Sequence, residues 1–114
     1  MPTTIEEFRP RVRKGITKIE EYEQGATDRI DLDTLDLYST TRCASAQAIG
    51  GGSYSRGQQR LGIPPNDDVS AEYGFAVTLA EENDDHDGNY ANLYEAWVIE
   101  LVTHRTAKAA LAAD

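Results

Sequence analysis

Ile5, Phe8, Val12, Ile16 and Ile19 recur at intervals of three and four residues, which lines them along one stripe of a helix. Thr3 with Glu6, or Thr4 with Glu7, supplies a capping box at its start, and Gly25 suits the C′ position beyond its end. Pro10 interrupts the pattern. Inside a helix it removes one hydrogen bond and crowds the preceding turn, so the sequence predicts a kink there, or a main helix starting at about residue 10.

At the other end of the chain, Tyr90, Tyr94, Trp97, Leu101 and His104 make a second stripe, widened by Leu93, Val98 and Val102. It predicts a helix from about Asp87 to Ala112. At ~1.5 Å per residue that helix is ~39 Å long, longer than a domain of this size is wide. The Ala-rich end, 106–114, is therefore expected to protrude, to fray, or to pack on a second copy.

Between the stripes the pattern is weaker. "IDLDTLDL" (30–37) alternates acids with Ile30, Leu32, Leu35 and Leu37, which suits an ordered loop pressing leucines onto a core. "STTRCASAQAI" reads as a helix capped by Ser39, Thr40 or Thr41, ended by Gly50–Gly52. "SYSRGQQRLGI" gives a short third helix with Tyr54 and Leu61 facing inward. "PPNDD" reads as a loop by its prolines and turn residues, and 73–79 has room for one short strand. The expected fold is one mainly α domain over 1–114, with about four helices, a long C-terminal helix and the two terminal stripes packed together.

Composition narrows the function classes. With 114 residues, 39% apolar and 27% charged, the chain is in the globular range. It has no apolar run near the ~20 residues that span a bilayer. "MPTTIEEF" lacks the basic and apolar regions of a secretory signal, and one cysteine makes no internal disulfide. The expected location is a reducing cytoplasm. The net charge of −9 is localised: residues 61–100 carry ten acids and no Lys or Arg, while the rest is nearly balanced. Such a surface repels polyanions, so direct nucleic-acid binding is disfavoured.

Candidate chemistry is sparse. Asp31, Asp33 and Asp36 do not match a calcium loop, because the fifth, sixth and twelfth positions fall on Leu35, Asp36 and Arg42. "NDDHDG" matches better, with Asn83, Asp85 and Asp87 at the first, third and fifth positions and Gly88 at the sixth. Its twelfth position is Tyr94, with Glu95 one residue late, and an acidic helix start explains the same residues. Cys43 as a nucleophile needs a base, and only His86 and His104 are available. "GGGSYSRG" lacks the lysine of a phosphate loop, and nothing in the sequence organises Arg56 and Arg60 around an anion. No cofactor is expected and no metal is assigned. Tyr54, Tyr90, Tyr94 and Trp97 are better suited to a core than to a ligand pocket, while Tyr22, Tyr38 and Tyr94 suit a rim.

The order Arg29-Ile-Asp-Leu-Asp-Thr-Leu-Asp-Leu37, Cys43 with Gln47, Tyr73-Gly-Phe75, and Tyr90, Leu93 and Trp97 resembles a family of small proteins common in actinobacteriophages and actinobacterial genomes. The resemblance spans roughly residues 5–104. Where that family has a Val-Leu-Gly-Gln run after the cysteine, this chain reads "CASAQ", which implies lighter packing. The resemblance implies a context and no reaction: a phage accessory protein acting by binding a host protein.

The expected function is thus non-enzymatic binding, with Asp84, Asp85, Asp87 and Tyr94 as the candidate interaction residues. The alternatives are calcium binding, a small cysteine-dependent enzyme, and a DNA mimic. The mimic requires carboxylates at phosphate-like spacing, and here they cluster at 67–68 and 81–87. A homodimer through the last helix is compatible with each of these.

Overall fold

Thr4 starts the first helix. Its hydroxyl accepts from the Glu7 N–H, and the Glu7 carboxylate accepts from the Thr4 N–H, so of the two capping boxes the second forms. In the computed structural model, which describes residues Met1–Ala113, helix α1 runs from Ile5 to Tyr22 without interruption at Pro10. The kink or late start expected there gives way to a continuous helix. Pro10 lies on the exposed side, where the one carbonyl it leaves free can meet water. Glu23 closes α1. Gly25 takes a left-handed conformation (φ 88°) one residue later than expected, where it leads into a 3₁₀ turn, Ala26–Arg29.

The inward stripe is as the spacing predicts: Phe8, Val12, Ile16 and Ile19 are buried. They face the last helix, α5 (Leu79–Ala113), whose Leu93, Ala96, Trp97 and Leu101 are fully buried. The two terminal stripes form the main packing of the fold. Burying each large apolar side chain contributes about 1.5–3 kcal/mol, so this pair of stripes dominates the core. Glu100 sits at its edge, and its two carboxylate oxygens accept from Arg9 Nε at 2.7 Å and Arg13 Nε at 2.8 Å.

Three short helices fill the middle: α2 (Ala44–Ala48), α3 (Tyr54–Arg60) and α4 (Asp67–Glu72). Helix α2 is shorter than expected. Ser39 spends its hydroxyl on the N–H groups of Thr41 and Arg42, holding a turn, and the residue at the α2 N-cap is Cys43. Helix α4 corrects the loop expected at "PPNDD". The prolines end before it, and Asn66 Oδ1 accepts from the Asp68 N–H at 2.9 Å as its cap. The described residues thus form five α-helices, in keeping with the mainly α domain of about four helices and a long C-terminal one.

The strand expected at 73–79 is absent among the described residues, which contain no strand for it to pair with. Instead Gly74, at φ 70°, lets the chain pass against α1 with its Cα close to Val12, and Phe75, Ala76 and Val77 become buried as an irregular segment. Trp97 Nε1 donates to the Gly74 carbonyl at 2.6 Å. The last helix also begins earlier than Asp87. Thr78 and Glu81 form a capping box, with the Glu81 N–H to Thr78 Oγ1 at 3.1 Å and the Thr78 N–H to Glu81 Oε1 at 2.9 Å. The helix then breaks at Asp85 (φ −154°, ψ 87°), whose carboxylate caps a fresh start through the Gly88 N–H. Beyond the body α5 remains helical to Ala113, anchored by Arg105 to the Ile30 carbonyl and by Lys108 to Asp28. Its projecting turns stretch the molecule to 46 Å against 27 and 22 Å. Asp114, the end of the segment expected to fray, lies outside the described residues.

Candidate functional site

Two hinges place α3 beside α4. Ser53 caps α3 by accepting from the Arg56 N–H, and Gly57 packs so closely on the Ser45 carbonyl that a Cβ there would lie 2.6 Å from it. At the other end Gly62, at φ 74°, turns the chain into Ile63, Pro64 and Pro65, and Asn66 starts α4. Between the two helices lies a groove of about 670 Å³, lined by Tyr54, Gln58, Ile63, Pro64, Pro65 and Ser70 among others.

The walls are largely apolar, but the groove carries a hydrogen-bonded chain. Tyr54 Oη donates to Ser70 Oγ at 3.0 Å, and Ser70 Oγ donates to Gln58 Oε1 at 2.8 Å. Gln58 is buried, and its Nε2 has no hydrogen-bond partner. Burial raises the Tyr54 hydroxyl above its ordinary value, although the bond to Ser70 opposes that shift. Tyr54 therefore stays a neutral donor at physiological pH. Ser70 gives its proton to an amide oxygen, which is not a general base for its hydroxyl. An unpaired buried amide donor costs about 1–3 kcal/mol; among the described residues Gln58 Nε2 shares this state with His104 Nε2, and Gln58 is the one that lines the groove.

The residues singled out in the sequence are spread across other surfaces. Asn83 is exposed in the first part of α5, and Asp84 pairs with the amino terminus at 3.3 Å. Asp85 is spent on its cap, and Asp87 is fully exposed beside His86 Nδ1 at 3.0 Å. These positions straddle the helix break. Among the described residues no three His, Cys, Asp or Glu side chains converge as a metal ligand set. Tyr94 stands two turns further along and donates to the Leu32 carbonyl at 3.2 Å, against the 30–37 loop rather than the acidic segment.

That loop is held by Asp31, which accepts from the Asp33 N–H, and by Asp36, which accepts from the Tyr38 N–H. Both are turn contacts. Leu35 and Leu37 are buried beneath them. Cys43 is buried, and burial pushes its thiol up against the opposing pull of backbone N–H groups, chiefly Ala46, and of Ser45 Oγ at 3.8 Å. His86 packs on Tyr38 and Tyr90, and His104 faces Glu20, so neither is hydrogen-bonded to the sulfur. Arg60 is tied to the Ile49 carbonyl, away from any anion site.

Several acids of the 61–100 stretch are neutralised within the chain. Glu81 accepts from Arg11 at 2.9 Å and from Thr3, and Glu100 from its two arginines. Burial alone would raise both carboxyls, but these bonds hold both below their ordinary value, Glu81 at about 2. The groove was not visible in the sequence. The sequence turns Tyr54 inward, but Gln58 and Ser70 carry no local pattern, and their meeting depends on helix α4. Compared with known protein families, curated proteins and solved structures, the chain matches none. No helix among the described residues is long and apolar enough to cross a membrane.

Proposed function

We propose that this chain is a phage-type accessory protein that acts without catalysis, by binding a host protein, and that the α3–α4 groove receives a segment of that partner. The observation that carries the reading is the unpaired Gln58 Nε2 in a groove with apolar walls. A peptide carbonyl supplies the acceptor this donor lacks once the Gln58 side chain, whose Nε2 is shielded in the free protein, turns toward the groove, and the exposed Pro64 and Pro65 offer surface for apolar side chains. Its position beside the acid-rich 66–87 segment favours a basic partner over a nucleic acid. The resemblance to actinobacteriophage proteins supplies the biological setting, and the buried, baseless Cys43 weighs against an enzyme.

A pull-down from an actinobacterial lysate tests this with two variants. The double variant Ser55→Arg and Gln59→Arg places like charge on the exposed groove rim, while Asp84→Asn with Asp87→Asn removes charge from the acidic loop. A stoichiometric partner kept by the loop variant and lost by the rim variant is expected. A partner kept by the rim variant and lost by the loop variant would move the surface to 84–87.

A further inference from the structure

Next to the groove is a smaller pit of about 150 Å³, whose lining includes four aromatic residues, Tyr38, Tyr54, Phe75 and Tyr90, together with Asp67. Tyr54 and Asp67 also line the groove, so the two cavities meet along this ring and this carboxylate. Tyr38 and Tyr90 stand edge to face, with centroids 5.1 Å apart at 64°. His86 packs behind both, 4.5 Å from Tyr38 and 5.0 Å from Tyr90, which braces the exposed Tyr38 ring. Ser39 and Thr40 add hydroxyl groups to the lining, and no Lys or Arg belongs to it.

Aromatic faces attract cations through their quadrupole, most strongly where water is excluded. A cation alone among rings still needs acceptors for its N–H groups; the Asp67 carboxylate and the Thr40 hydroxyl provide them, while the Ser39 hydroxyl is held by the Thr41 and Arg42 N–H groups. We propose that the pit receives the ammonium group of a lysine side chain carried by the segment in the groove. This rests on the reading of the groove as a protein-binding surface. The four-carbon stem of lysine runs along Tyr54 while its charge reaches Asp67, whereas a fork-shaped guanidinium demands a wider, planar opening. The stretch 61–104, which contributes Asp67, Phe75 and Tyr90, has no Lys or Arg to compete for the site, and its one basic side chain at these rings is His86.

The test is a proton–nitrogen NMR titration of the full chain with n-butylammonium chloride, which reproduces the lysine side chain. n-Butanol serves as the uncharged control, tetramethylammonium as a second cation, and sodium chloride holds ionic strength constant. Butylammonium is expected to shift the amides of Tyr38, Ser39, Thr40, Asp67, Ala76 and Tyr90 saturably, and butanol is not. Tyr38→Ala and Asp67→Asn each change an exposed side chain, and each is expected to weaken butylammonium by about fivefold or more. Equal shifts with butanol, or shifts spread along Asp84–Glu95, would overturn the proposal. Tighter binding of tetramethylammonium would do the same, because it would reassign the pit to a quaternary ammonium ligand. The wild-type comparison needs no variant to fold and no partner protein. A failed pull-down therefore counts against the groove, and a failed titration against the pit.

Discussion

Tyr54 Oη donates to Ser70 Oγ at 3.0 Å, one of two side-chain bonds through Ser70 that join α3 to α4. Ser70 passes the chain on to Gln58 Oε1, where it ends at the unpaired Nε2. A group held this way is useful to a ligand and costly to the free protein, which separates its effects on stability and on binding.

Gln58→Met keeps the length of the side chain while removing both its filled acceptor and its unpaired donor. It should destabilise the free chain by about 1 kcal/mol, because the buried Ser70 hydroxyl loses its acceptor while an unsatisfied amide donor is removed. Ser70→Ala should cost more, about 1–3 kcal/mol, since it strands Gln58 Oε1 as well. Urea denaturation of the two variants beside wild type measures the difference. The same Gln58→Met chain should lose its partner in the pull-down although it is folded.

Glu81 makes stability depend on acid. Its ordinary value of 4.5 is lowered to about 2 in the folded chain, where bonds from Arg11, Thr3 and the Thr78 N–H outweigh burial. The unfolded state therefore takes up this proton first. The stabilisation is complete above about pH 4.5 and is lost as pH falls towards 2. Thermal melts from pH 6 to pH 2 should show Tm falling through that window, and Glu81→Gln should flatten the fall while lowering Tm at neutral pH.

Gly15 is where α1 meets the 73–77 segment. A Cβ at this position would lie 2.1 Å from the Tyr73 carbonyl oxygen, a backbone atom that moves only if the segment moves. Gly15→Ala, which elsewhere in a helix would help, should destabilise the chain by about 1–3 kcal/mol or more. Differential scanning calorimetry gives the sign directly.

The two terminal stripes were legible in the sequence because helix packing repeats every few residues, so Phe8 to Ile19 and Leu93 to Leu101 announce themselves. The Thr4–Glu7 box was legible for the same local reason. Helix α4 was obscured by Pro64 and Pro65, although Asn66 followed by Asp67 and Asp68 is a cap with acids in the first turn. The early start of α5 was also written locally, in Thr78 and Glu81. The apolar run at Phe75–Val77 suggested a strand by composition, but a strand needs a partner and none exists among the described residues. The groove and the pit were not legible at all. Tyr38, Tyr54, Asp67 and Tyr90 come from four separate segments and meet only after the helices pack.

Site-directed photo-crosslinking tests the groove most directly. A benzophenone amino acid is placed at Gln59, on the exposed groove rim, or at Thr103, on an exposed turn of α5. Each chain is irradiated in an actinobacterial lysate. The account predicts one host protein joined through Gln59 and not through Thr103, with the adduct suppressed in the Gln58→Met background. The same adduct from Thr103, or none from Gln59 under conditions where the wild-type chain retains its partner, would contradict it.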